Sequence, residues 1–152
     1  MTRTNGPIPD RLQDIIDDFR WAEGREKLDL LLEYAQKLTP LPEWLAADHD
    51  SMDQVHECMS PVFVAAETHD GAMTFYFDVP AEAPTVRGYA ALMADGVSGC
   101  TPEVILGIPG DFFQAMGLQE VISYQRINGI SAILAHMKRL ALKAMNDEWG
   151  VL

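Results

Sequence analysis

Apolar residues recur at helical spacing near the N-terminus. Leu12, Ile15, Ile16 and Phe19 fall at i, i+3, i+4 and i+7, with Asp10, Asp14, Asp17 and Asp18 on the rest of the wheel, which predicts a short amphipathic helix. Gly24 interrupts, and Leu28, Leu31, Leu32, Ala35 and Leu38 then repeat the pattern until Thr39-Pro40-Leu41-Pro42 forbids continuation. An antiparallel helix pair follows. From Glu43 to Glu57 the chain is acidic and irregular, with either a short strand or a turn of helix open for Met52 to Val55.

The period then changes from helix to strand. Pro61 to Thr68 and Met73 to Val79 are rich in Val, Phe, Tyr and Thr, and His69-Asp70-Gly71-Ala72 between them is a hairpin signal. With Asp70-Gly71 as a two-residue turn, Val62, Val64 and Ala66 lie opposite Val79, Phe77 and Phe75 on one apolar face. Beyond Pro80 and Pro84, Thr85 to Gly96 reads as a helix. Thr101-Pro102-Glu103 is a helix start with Thr as N-cap, and Gly110 to Met116 allows another turn or two. The last helix is the longest, opened by Arg126-Ile127-Asn128-Gly129. Ile130, Ile133, Leu134, Met137, Ala141 and Ala144 form its stripe, and Lys138, Arg139 and Lys143 lie outside it.

Size and charge narrow the function. The chain has 152 residues, 48% hydrophobic and 22% charged, the make-up of one globular domain spanning residues 1–152. Eleven basic against twenty-three acidic residues leave a net charge of −12, and without a basic patch that excludes nucleic acid and anionic membrane surfaces as partners. No apolar run is long enough to span a membrane, and Met1 to Asp10 lacks the order of a signal peptide, so a cytoplasmic location is expected. In that reducing compartment the two cysteines, Cys58 and Cys100, are expected as free thiols.

Cys58 is the candidate of chemical interest. It precedes the first clear strand in His56-Glu57-Cys58-Met59-Ser60-Pro61, where a loop would deliver a thiol to the edge of a hairpin; the plain alternative is a small buried hydrophobe. From Trp44 to Val86 there is no Lys or Arg, whereas Asp48, Asp50, Asp53, Glu57, Glu67, Asp70, Asp78 and Glu82 are acidic, so a reluctant thiol is expected. His49, His56 and Cys58 can each bind zinc, but their H-x6-H-x-C spacing matches no recognised zinc pattern, and no metal site is expected. Gly96 to Gly99 and Gly107 to Gly110 lack the Lys and the context of a phosphate loop. They read as turns.

Taken in order, Glu57-Cys58-Met59-Ser60-Pro61-Val62-Phe63, Val86-Arg87-Gly88, Asp111-Phe112-Phe113, Met116-Gly117-Leu118 and Ser123-Tyr124-Gln125-Arg126-Ile127-Asn128-Gly129 closely resemble the SufE family of sulfur-acceptor proteins. The resemblance runs from about Arg11 to Met145, with the segments in the family's order and spacing. Family members usually read Gly-Cys-Gln-Ser and then an apolar pair ending in Trp, where this chain has Glu57, Met59 and Phe63 in place of the Gly, Gln and Trp.

The resemblance implies an α+β fold: an N-terminal helix pair, a small antiparallel sheet of about three strands with its hairpin near 61–79, and C-terminal helices packed on the sheet. It also implies that Cys58 accepts sulfane sulfur as a persulfide from a pyridoxal-phosphate cysteine desulfurase, stimulates that enzyme, and passes the sulfur to an iron–sulfur cluster scaffold. The chain itself would carry no cofactor. Such a protein is a persulfide carrier rather than a stand-alone enzyme. Glu57, Met59 and Ser60 around the cysteine, with Glu82, Arg87 and Arg126, become candidates for loop support or partner contact. Cys100 matches no required cysteine of the family. A redox-sensing or structural interaction protein using Cys58 without sulfur transfer is the competing expectation.

Overall fold

The helix pair forms where its apolar spacing places it. The computed structural model describes residues 8–148. Helix α1 (Asp10–Trp21) buries Leu12, Ile15, Ile16 and Phe19, the stripe the spacing predicts. Helix α2 (Arg25–Gln36) buries Leu31 and Ala35, but its inward face is turned so that Leu32 remains 42% exposed and Lys27 is buried in its stead. The reason is a specific hydrogen bond. Lys27 Nζ donates to the carbonyl of Phe19 at 2.5 Å, a second bond beside the one from Ala22 N–H at the end of α1, and its stem lies against Gly117.

After a single turn of helix, α3 (Glu43–Ala46), and a 3-10 turn (His49–Ser51), the segment left open in the sequence becomes a strand, β1 (Asp53–Gln54). It pairs antiparallel with β2 (Phe63–His69), which pairs antiparallel with β3 (Ala72–Asp78), giving the order β1-β2-β3. The hairpin register is the expected one, with Val64 opposite Phe77, Ala66 opposite Phe75 and His69 opposite Ala72. Asp70 and Gly71 both have positive φ, 53° and 81°, as a two-residue turn matched to the strand twist requires.

Helix α4 (Pro84–Gly96) covers β3 and crosses both N-terminal helices. Gly88 makes the crossing with α2 possible, because a Cβ there would be driven into the backbone carbonyl of Leu31. Arg87 fixes the same crossing: Nη1 donates to Val79 O at 2.6 Å and Nε to Ala35 O at 3.0 Å, joining the ends of β3 and α2. Two short helices follow, α5 (Pro102–Leu106), where Thr101 Oγ1 accepts from Val104 N–H at 3.4 Å, and α6 (Phe113–Met116). A 3-10 turn (Leu118–Glu120) leads into α7 (Tyr124–Glu148), which lies across β2 and α5.

The fold is therefore α+β, with helices on the apolar face of the sheet. Val62, Val64, Met73, Phe75, Phe77 and Val79 of the sheet meet Tyr89, Leu92, Ile130, Ile133 and Met137 of the helices in one buried cluster. Among the described residues no helix is long and apolar enough to cross a membrane.

Candidate functional site

Strand geometry creates the loop that carries Cys58. Val55 N–H donates to Val62 O at 2.8 Å, closing the connection between β1 and β2, and Cys58 N–H donates back to Val55 O at 3.2 Å inside it. The side chain then turns toward α7. Cys58 Sγ lies 3.6 Å from the carbonyl oxygen of Gly129, and a Cβ on Gly129 would come within 3.1 Å of the sulfur. Glycine leaves the thiol this seat, since a Cβ would press on the sulfur and make it give by a few tenths of an ångström.

Around the sulfur is a cavity of about 230 Å³ lined by Cys58, Met59, Ser60, Val86, Gln125, Arg126 and Gly129. Its lining includes Met59, a large apolar side chain that is 81% exposed. Two larger grooves, of about 590 and 380 Å³, have neither cysteine nor histidine among their described lining residues. The thiol chemistry and the cavity coincide at one place.

Burial pushes the Cys58 thiol up from 9.0 to about 11, and the neighbouring Glu57 carboxylate adds to the shift. The Gly129 carbonyl acts in the same direction, because it can accept a hydrogen bond only from the protonated S–H. Arg126 lines the cavity, and among the described residues its guanidinium has no hydrogen bond or ion pair. Its backbone is placed by Ser123, whose Oγ accepts from Arg126 N–H at 3.3 Å at the start of α7.

The structure brings Cys58, Met59, Ser60 and Arg126 together, with Glu57 next to them on the same loop. It does not bring the other two candidates there. Glu82 is exposed and outside the cavity lining, and Arg87 has two of its donors on main-chain carbonyls. Cys100, half-buried, sits at the opposite end of the hairpin, where its carbonyl accepts from Met73 N–H at 2.8 Å; burial raises its thiol pKa as well.

Two residues of α7 reach the loop in a way that the sequence did not reveal. His136 Nε2 lies 3.4 Å from Glu57 Oε1, and Arg139 Nη2 lies 2.6 Å from Asp53 Oδ2. The signal available was helical spacing, which puts Gly129, His136 and Arg139 along one side of α7. Metal binding finds no support in the geometry: among the described residues no three His, Cys, Asp or Glu side chains converge. His49 is held by Asp78 Oδ2 at 2.8 Å and packs edge-on against Phe63.

The chain is similar to known proteins over most of its length. The profile of the SufE family, an Fe-S metabolism associated domain, matches residues 13–141. An uncharacterized SufE-like protein of Mycobacterium tuberculosis is 41% identical over 133 residues, covering 87% of this chain and 92% of that protein. The Cysteine desulfuration protein SufE of Plasmodium vivax is 27% identical over 114 residues, which cover 74% of this chain and 44% of that longer protein. Among solved structures, a hypothetical protein from Thermus thermophilus superposes with a TM-score of 0.81 at 34% identity, over 91% of this chain and 98% of that one. Motif order, hairpin register and the profile match across most of the chain lead to one assignment: this protein belongs to the SufE family.

Proposed function

We propose that this chain works as a single SufE-like domain that takes sulfane sulfur onto Cys58 from a pyridoxal-phosphate cysteine desulfurase and hands it to an iron–sulfur cluster scaffold. The observation that carries the reading is the seating of Cys58 in a cavity whose lining also includes the exposed, apolar Met59. Family membership supports it. So does the name of the Plasmodium vivax relative, a cysteine desulfuration protein.

The step is a thiol exchange that needs no oxidant or reductant. The Cys58 thiolate attacks the outer sulfur of the desulfurase persulfide, a new S–S bond forms on Cys58, and the S–S bond to the enzyme's cysteine breaks. That cysteine leaves as a thiolate and takes up the proton that Cys58 lost. A thiol whose pKa is raised to about 11 is almost wholly protonated near neutral pH, so it resists stray oxidation between encounters and becomes nucleophilic only where a partner supplies a base or a cation. Met59, Ser60, Glu57 and Arg126 are placed to support the loop or contact the partner, and Glu82 is left as an exposed partner contact. Arg87 serves by bracing α4, whose Val86 forms a wall of the cavity. A reducing compartment, the cytoplasm, is the setting that keeps both thiols free.

The test is alanine production by a cysteine desulfurase with and without this protein. Turnover is expected to rise with the wild-type chain and to stay at the basal level with Cys58→Ser. A desulfurase indifferent to the protein, or equally stimulated by Cys58→Ser, would favour a redox or structural use of the thiol.

A further inference from the structure

The loop before Cys58 is tied to α7 by a histidine–carboxylate contact and an ion pair, and neither His136 nor Arg139 has a part in the chemistry proposed above. Glu57 Oε1 meets His136 Nε2 at 3.4 Å, and Asp53 Oδ2 meets Arg139 Nη2 at 2.6 Å. With the thiol against Gly129 O, the segment 53–58 touches α7 at three points along one side of that helix. The two partners of the first contact differ in exposure. The His136 side chain is only 14% exposed, whereas that of Glu57 is 54% exposed and open to exchange with another cation.

The imidazole is oriented for this contact. Its Nδ1 is buried without a hydrogen-bond partner, which leaves Nε2 as the nitrogen that offers its hydrogen to the Glu57 carboxylate. A hydrogen bond from its own backbone N–H lowers the Glu57 pKa first, burial opposes this, and His136 lowers it further. The carboxylate stays charged and available.

We propose that His136 and Arg139 act as positioning residues, latching the Cys58 loop shut against α7 through Glu57 and Asp53, and that a docking protein frees the thiol by offering Glu57 a competing cation. This deepens the sulfur-acceptor reading, since it names what controls access to the same thiol. A loop held by exposed contacts opens locally at modest cost, so the observed reactivity of Cys58 is its intrinsic reactivity multiplied by the open fraction. Loss of the latch raises that fraction.

The experiment is alkylation of the isolated protein by iodoacetamide near neutral pH, where the protein stays folded, reading the second-order rate at Cys58. His136→Leu removes the donor, keeps the bulk, and eliminates the unpartnered Nδ1, so the fold should tolerate it. Electrostatics alone would make this variant slower at neutral pH, because Glu57 then faces Cys58 without its histidine. A latch predicts the opposite: a several-fold rise for His136→Leu, and a return toward wild type for His136→Gln, which restores an N–H of similar reach. Should His136→Leu fail to fold, Arg139→Gln, at an exposed position, is judged by the same criterion.

A rate for His136→Leu equal to or below wild type overturns the latch. The readout involves no desulfurase and no sulfur. Failure here with sulfur acceptance intact removes only the latch, whereas loss of sulfur acceptance in the wild type removes the reading beneath it.

Discussion

At the scale of single residues, the environment of Cys58 is opposite to that of a self-activated cysteine enzyme. Such enzymes lower the thiol pKa with a cation or a helix N-terminus; here desolvation, Glu57 and a backbone carbonyl all favour S–H. The isolated protein should therefore alkylate slowly near neutral pH, with a rate that rises toward a midpoint near 11. A midpoint below about 7.5 in the free protein would mean that the fold activates its own thiol. Gly129 offers a second test, since Gly129→Ala would place a methyl 3.1 Å from Sγ. Ala improves the helix by about 0.5–1 kcal/mol, so a small change in stability together with faster alkylation is expected as the thiol is pushed off its seat. Unchanged alkylation would show that the sulfur has room to spare. The acidic character of this neighbourhood was legible in the sequence, which has no Lys or Arg from Trp44 to Val86. The contacts of Glu57 with His136 and of Asp53 with Arg139 were not, because each joins residues far apart in the chain.

At the scale of elements, α4 is the piece that sets the cavity wall, and two neighbouring residues fix it by different means. Gly88 permits close approach to α2, and Arg87 ties the carbonyls of Ala35 and Val79 together. Gly88→Ala should cost about 1–3 kcal/mol or more, because the obstacle is a backbone carbonyl that cannot rotate away. Arg87→Met, which keeps the stem and removes the donors, should cost about 1.5–3 kcal/mol. Urea midpoints check both; wild-type stability in either variant would contradict the packing described. The hairpin and the helix stripes could be read in advance because period-2 and period-3.6 patterns report directly which face is buried, as Val64 with Phe77 and Leu12 with Phe19 illustrate. Strand β1 could not be resolved, being two residues with no room for a period. The orientation of α2 was misleading for another reason. Leu32 fits the stripe by spacing, yet a lysine takes an inner position, its ammonium donating to the Phe19 carbonyl at the end of α1.

At the scale of the whole molecule, burial raises the pKa of groups that ionise only at high pH. Cys58, Cys100, Tyr34, Tyr76 and Tyr89 are all raised, burial being the first cause in each. The unfolded chain therefore releases these protons first. Stability should be level below the unfolded thiol value of 9.0 and fall as the pH climbs toward about 11, with Cys58→Ser flattening part of the decline. Urea midpoints on either side of that window measure it; a protein equally stable throughout would contradict the burial of these groups. A net charge of −12 also leaves the surface suited to a partner with a basic face, in keeping with a thiol that waits for outside activation. The central claim concerns Cys58 itself, and mass spectrometry tests it most directly: the protein is incubated with a cysteine desulfurase and cysteine, and the peptide carrying Cys58 is weighed without reduction. A gain of about 32 Da, one sulfur atom, on Cys58 and not on Cys100 is the predicted result. A Cys58 peptide of unaltered mass after the desulfurase has turned over in the protein's presence would contradict it.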